Sequence, residues 1–243
     1  MILIWFWIAA FFSEIIGTLA GFGSSTLFLP IALFFFDFKT ALILTAIFHL
    51  SGNIGRIAFF RRKMDKKLLL FFGLPSILLA IAGALLVNYV SQPILKLFLG
   101  LFLVGYVLLV WNDHFTLPPT TRNSILGGSL SGFLAGLIGT GGALRGAFLT
   151  AFRLEKTVYI ATAAVISLAV DLTRIPIYWR NGFLPQELIY FIPILFVIAL
   201  AGSFIGKKIV QRIPQPRFKK VVLIAIVLVS IKFLVEGIAY LTR

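Results

Sequence analysis

The sequence predicts an all-α integral membrane protein made of two inverted five-segment repeats, each holding a glycine-broken helical hairpin. Three observations predict it. The 243 residues are 60% hydrophobic and only 12% charged, with a mean hydropathy of +1.06, outside the range of soluble domains. Two glycine-rich stretches, G-F-G-S-S at 21–25 and G-T-G-G at 139–142, interrupt apolar runs at corresponding places. Polar residues also recur at a constant spacing: His49, Asn53, Arg56 and Pro75 answer Ser167, Asp171, Arg174 and Pro193, each pair 118 apart (167−49, 171−53, 174−56, 193−75).

A helix needs about 20 apolar residues to cross the hydrocarbon layer. By that measure full spans are expected at 2–20, 41–60, 68–90, 93–112, 124–139, 157–179, 188–206 and 221–241, about 8 in all. The apolar pieces 24–36 and 141–152 are too short to span and form two short helices, each following a glycine break. The amino-terminal run M-I-L-I-W-F-W-I-A-A has neither the basic flank nor the cleavage pattern of a signal peptide, so it counts as a spanning helix. Gly17-x-x-x-Gly21 has a counterpart in Gly132-x-x-x-Gly136, here at an offset of 115 (132−17). The halves are expected at 1–112 and 122–243, with a polar linker at 113–121.

The net charge of +14 does not indicate nucleic acid, because Lys and Arg cluster between apolar segments, where they orient the chain and meet lipid headgroups. The richest clusters, R-R-K-M-D-K-K at 61–67 and the loop with Lys207, Lys208, Arg212, Arg217, Lys219 and Lys220, belong on the cytoplasmic side. The number of crossings between them must be even. The clear spans between them are 68–90, 93–112, 157–179 and 188–206, so 124–152 must go in and come back. Symmetry extends this reversal to 1–36, gives each half five segments, inverts one half against the other, and puts both termini outside the cytoplasm. Without cysteine there are no disulfides and no thiolate chemistry; no cofactor or metal site is expected.

Non-helical backbone at membrane depth must be buried in protein or line an aqueous cavity. In inverted-repeat transporters such breaks form the substrate site, with helix amino ends offering unpaired N–H groups and positive dipole to an anion. Here the short helices open at Ser24, Ser25 and Thr26, and at Gly141, Gly142 and Ala143, with Thr140 inside the second break. The alternative, close helix packing by small residues, fits Gly17, Gly21, Gly128, Gly132 and Gly136. His49, Asn53 and Arg56 share one helical face, as do Ser167, Asp171 and Arg174, and such faces turn inward in membranes. The arginines either hold an anion bidentately or serve structure: Arg174 by pairing with Asp171, Arg56 by snorkelling to the surface. Arg145, one turn into the second short helix, reaches either the site or the cytoplasmic surface. His49 is the candidate proton carrier, with Glu14 and Asp171 as alternatives.

G-F-G-S-S-T-L-F-L-P followed by F-K-T-A, and S-G-F-L-A-G-L-I-G-T-G-G-A followed by E-K-T-V-Y-I-A-T-A, resemble the paired signatures of the TauE/SafE family of membrane permeases for sulfite, sulfoacetate and other organosulfonates. The resemblance covers nearly the whole chain. It implies a substrate region at Gly21, Gly23, Ser24, Ser25, Gly139, Gly141 and Gly142, and export as the direction of transport. The first repeat departs from the family pattern in having serines where further glycines are usual, and the second in Arg145. The expected function is secondary transport of a small sulfur-containing oxyanion (sulfite, thiosulfate or an organosulfonate) by alternating access in the cell membrane, in contact with lipid and with proton or other ion coupling. No nucleotide-binding loop is present in the sequence to supply energy. An anion channel, a Ser/His hydrolase using His49 and Ser51, and a structural subunit are the alternatives; His49 and Ser51 are two apart and point to different helix faces, against a dyad.

Overall fold

A computed structural model describes residues 2–21, 23–60, 64–111, 117–210 and 230–242. Among these every regular element is helical. α1 (Ile2–Ala20) is followed by the short α2 (Ser25–Ala32), then α3 (Phe38–Phe60), α4 (Lys66–Tyr89), α5 (Gln92–Trp111), α6 (Thr121–Ile138), the short α7 (Gly142–Thr150), α8 (Lys156–Arg180), α9 (Phe191–Val210) and α10 over 230–241. By length and apolarity, Phe38–Phe60, Lys66–Tyr89, Lys156–Arg180 and Gln186–Ile209 suffice to cross a membrane, and Leu3–Leu19 and Gln92–Leu108 are shorter apolar helices. The expected first part of span 221–241, residues 113–116 of the linker 113–121, residues 61–63 of the first basic cluster, and Arg212, Arg217, Lys219 and Lys220 lie outside the described residues.

Several helices start earlier than hydropathy alone places them, because polar residues cap them. Asp37 Oδ1 accepts the amides of Lys39 (3.0 Å) and Thr40 (3.3 Å), so α3 begins at 38 rather than 41. Asp65 accepts from Leu68 N (2.9 Å) ahead of α4, and Thr120 from Asn123 N (3.2 Å) ahead of α6. These are ordinary N-caps. The stretch 24–36 is helical only to Ala32, after which 33–36 turns into α3.

The chain does reverse at both breaks. The ring of Phe6, near the start of α1, meets Phe28 of α2 at 5.3 Å and Phe36 beyond it at 5.2 Å, so α2 runs back along α1. In the same way a Cβ on Gly127, early in α6, would meet Phe148, late in α7. At about 1.5 Å per residue, α2 (8 residues) and α7 (9 residues) reach only part of the way across a bilayer.

α3 and α8 cross at the centre. Of the apolar window of α3, 72% is buried, against 28% in α9, which exposes Val197 and Phe204. Around this pair, α1 packs on α9 and α6 packs on α4. Glycine makes the second contact possible: a Cβ at Gly128, Gly132 or Gly136 would strike the carbonyl oxygen of Phe72, Ser76 or Ala80 respectively. Backbone thus approaches backbone, as small-residue stripes permit in membranes, and the Ser76 hydroxyl donates across to Gly128 O (3.0 Å).

The two ends of the bundle differ in charge. One carries Lys66, Lys67, Arg122, Arg153, Lys156, Lys207 and Lys208; the other carries Lys39 and Arg180 with Asp37 and Glu187. At the second end Lys39 Nζ donates to Asn88 Oδ1 (3.0 Å) and lies over the Phe183 ring (5.1 Å). Gly132→Val is expected to force α4 and α6 apart, lowering stability by about 1–3 kcal/mol, the usual cost of overpacking. Leu130→Val, at a half-exposed position of the same helix, is expected to change little. Thermal melts of the detergent-solubilised protein check both.

Candidate functional site

The first break is built by two left-handed glycines. Gly21 (φ +76) and Gly23 (φ +96) both donate their amides to Gly17 O, at 3.1 and 3.3 Å. The second is built by one, Gly139 (φ +75), which caps α6. Only glycine adopts these angles without strain. Gly21 and Gly139 are 118 apart (139−21), the offset of the polar pairs, and each is left-handed at the end of the helix before a break.

The breaks meet. Thr26 Oγ1 lies 2.9 Å from Thr140 Oγ1, a hydrogen bond joining residues 114 apart. Helix geometry leaves the first amides of α2 and α7 without an intrahelical partner, although Leu27 N of α2 turns back to Ser24 O (3.1 Å); both helices bring their positive ends to this junction. Two further polar atoms are buried here without a partner in the protein: Ser24 Oγ and His49 Nε2. The imidazole abuts the first break so closely that a Cβ on Gly23 would collide with Nε2.

Beneath the junction a polar network ties α3 to α8. His49 Nδ1 is 2.8 Å from Asp171 Oδ2, and since a carboxylate only accepts, Nδ1 carries the proton. Asn53 Nδ2 donates to the same oxygen (3.3 Å), and its carbonyl accepts from Arg56 (2.5 Å). Asp171 Oδ1 accepts from both Arg174 Nε (2.9 Å) and Nη2 (2.8 Å), two charged donors on one oxygen.

Each arginine also pins a broken helix. Arg56 Nη2 pairs with Glu14 Oε1 (2.5 Å) and Nε donates to Thr18 Oγ1 (3.1 Å), both on α1; Glu14 also accepts from Ser203 (2.7 Å) on α9. Arg174 donates to Ala135 O and Tyr178 to Gly136 O, carbonyls of the last turn of α6. Those carbonyls end a helix inside the bundle and would otherwise be unsatisfied.

Thr26 and Thr140 are the residues in contact across the junction; Gly21, Gly23, Ser24 and Ser25 lie beside Thr26 in the chain and Gly139, Gly141 and Gly142 beside Thr140, with His49 against Gly23 and Asp171 and Asn53 bonded to the far side of its ring. Arg56 is elsewhere: 3% exposed, it neither snorkels nor faces the junction but is engaged by Glu14, Thr18 and Asn53. Arg145 is likewise 3% exposed, an interior cation rather than a surface one. The missing Cβ atoms at Gly21, Gly139 and Gly141 face Tyr159, Leu29 with Leu42, and Ser131 O respectively, so these three glycines serve packing as well as chain reversal. Sequence reasoning missed Thr18, Ser203, Tyr159 and Tyr178. Tyr178 had a signal, lying at i+4 from Arg174 on the same helical face; Ser203, a small residue in an apolar helix, had none.

Membrane-length apolar helices around a buried polar centre define an integral membrane protein. A family model described as sulfite exporter TauE/SafE matches residues 6–233. The chain belongs to the TauE/SafE family. It is also similar to a probable membrane transporter protein of Methanocaldococcus jannaschii, 30% identical over 154 residues, which is 56% of this chain and 57% of that relative's length. No solved structure matches.

The Glu14–Arg56 pair is fully enclosed, so removing one partner strands a charge. Glu14→Leu alone is expected to lower stability by about 3–5 kcal/mol, and Glu14→Leu with Arg56→Met by clearly less, since a buried pair replaced as a unit leaves no orphan. A double-mutant cycle on melting temperature measures the difference.

Proposed function

We propose that this protein is a secondary transporter of a small sulfur-containing oxyanion such as sulfite, thiosulfate or an organosulfonate. The substrate is held where the two helix breaks meet. The observation carrying this reading is the Thr26–Thr140 contact: it joins two helix amino ends at one point, beside buried hydroxyl and imidazole groups lacking a protein partner. Uncharged hydroxyls and backbone amides coordinate an oxyanion without a fixed counter-ion, and glycine lets it approach the main chain.

Charge supports the same reading. Among the described residues the buried ionisable groups are Glu14, Asp171, Arg56, Arg145, Arg174 and His49. Guanidiniums outnumber carboxylates in this set, and a net positive interior favours an anion over a cation at the junction.

Alternating access follows from the inverted-repeat organisation, with halves at 1–112 and 122–243 about the linker 113–121. Exchange of packing partners supports it: α1 on α9 mirrors α6 on α4, α2 on α3 mirrors α7 on α8, and α3 meets its own counterpart α8. Rocking one half against the other would open the junction to each side in turn. The end richer in Lys and Arg is cytoplasmic by the positive-inside rule, which puts both termini outside the cytoplasm of a cell membrane. Export is the direction suggested by the family's description. The hydrolase alternative is disfavoured because the Ser51 hydroxyl is occupied by Ile47 O (2.8 Å), within its own helix.

Purified protein in liposomes, assayed with ³⁵S-labelled sulfite, thiosulfate and methanesulfonate, tests the reading. Saturable flux with counterflow is expected, and Ser24→Val and Ser25→Val should each abolish it without lowering the melting temperature by more than a few degrees. Non-saturating flux without counterflow would indicate a channel. Normal transport by both valine variants would remove the junction from the account.

A further inference from the structure

The geometry points to a proton as the second ligand of this site: we propose that His49 takes one proton on Nε2 with each anion bound and gives it up when the anion leaves. This rests on the anion-transport reading above and deepens it by naming the coupling ion and its carrier.

Three buried groups could carry a proton, and their surroundings separate them. Glu14 takes Arg56, Thr18 and Ser203 all on Oε1, and its unpartnered Oε2 lies against Gly52 of α3 rather than against Gly23 at the break. Asp171 holds Arg174 through one oxygen and His49 with Asn53 through the other. Neither carboxylate is turned onto the break. His49 differs, because Nδ1 is fixed as a donor by Asp171 while Nε2 is buried, without a protein partner, and turned onto Gly23 at the break. With Nδ1 protonated, Nε2 of the neutral ring is a lone pair, which repels an oxyanion. Only the imidazolium presents N–H there. An anion at the junction therefore binds the protonated ring better than the neutral one, and by linkage the proton binds better when the anion is present.

The charges facing the ring come from every neighbouring element. Asp171 on α8, backed by Arg174, holds the ring at Nδ1, and Arg56 from its own helix and Arg145 from α7 are the cations that act on it. Glu14 on α1 balances Arg56. An anion at the junction would screen the ring from these cations, so anion arrival shifts the balance at Nε2 toward protonation. The step is an N–H bond formed at Nε2 with a proton from one compartment and broken to the other; no other bond changes. Proton and anion then travel in the same direction, so net flux follows the sum of their gradients, and export requires an outward anion gradient that exceeds the inward proton gradient.

The test uses the full chain in liposomes containing pyranine, with the membrane potential clamped by potassium and valinomycin. The probes are thiosulfate and methanesulfonate, anions of strong acids that bring no proton of their own, with sulfite corrected for protein-free leakage. Lumenal acidification in step with anion uptake is expected, at about one proton per anion, and uptake should steepen by up to about tenfold per unit fall in external pH, the limit for one linked proton. His49→Gln is expected to slow uptake and abolish lumenal acidification, and its melting curve shows whether the variant is folded. Anion uptake by the native protein without acidification overturns this proposal and leaves the transport reading standing. Uptake of none of the three anions overturns both.

Discussion

Unpaired backbone cannot face hydrocarbon, and the rest of this structure depends on that constraint. Two helices stop at about half depth, and each stop creates donors and acceptors that need partners inside the protein. Some of the carbonyls are satisfied from within: Gly17 O takes two amides in the first break, and Ala135 O and Gly136 O of α6 accept from Arg174 and Tyr178 in the second. The amino ends of α2 and α7 meet at two threonine hydroxyls. The proposed anion site rests on that meeting of amino ends.

The arginines at 56 and 174 are better understood as clamps than as substrate ligands. They lie 118 positions apart (174−56), and each ties a central helix to a broken one, but by different means. Arg56 reaches a carboxylate and a hydroxyl on α1, whereas Arg174 reaches main-chain carbonyls on α6 and draws its counter-charge from Asp171 on its own helix. Asp171 then serves three donors at once and fixes the tautomer of His49 across the repeat boundary. Such a network is rigid only while every member is satisfied. Movement of one half against the other would have to carry it as a unit or break it at the 3.3 Å Asn53–Asp171 bond, its longest link between α3 and α8.

Much of this was legible in the sequence, for identifiable reasons. Apolar length located the helices, and glycine clusters inside apolar runs located the breaks, because few other causes put G-F-G-S-S and G-T-G-G at membrane depth. The parity of crossings between basic clusters required the reversals that Phe6 with Phe28, and Gly127 with Phe148, display. Helix starts were misjudged where Asp37, Asp65 and Thr120 cap, since hydropathy counts a capping residue as an interruption. Partnerships were the least legible part. Nothing in periodicity says that Arg56 would meet Glu14, 42 positions away on another helix, or that Ser203 would join them. Arg174 with Asp171 lies within one helical turn and could be read; the contact of Thr26 with Thr140 depends on how the halves dock and could not.

The central claim is that the two breaks meet inside the membrane, and the chain's lack of cysteine makes a direct measurement available. Cysteines placed at Thr26 and Thr140, with a protease site inserted in the linker 113–121, would be oxidised in native membranes and the linker then cut. The account predicts that the halves stay joined on a non-reducing gel and separate on reduction, with either single cysteine giving separate halves throughout. Halves that separate without reductant, in a double-cysteine protein that still inserts and folds, would contradict it.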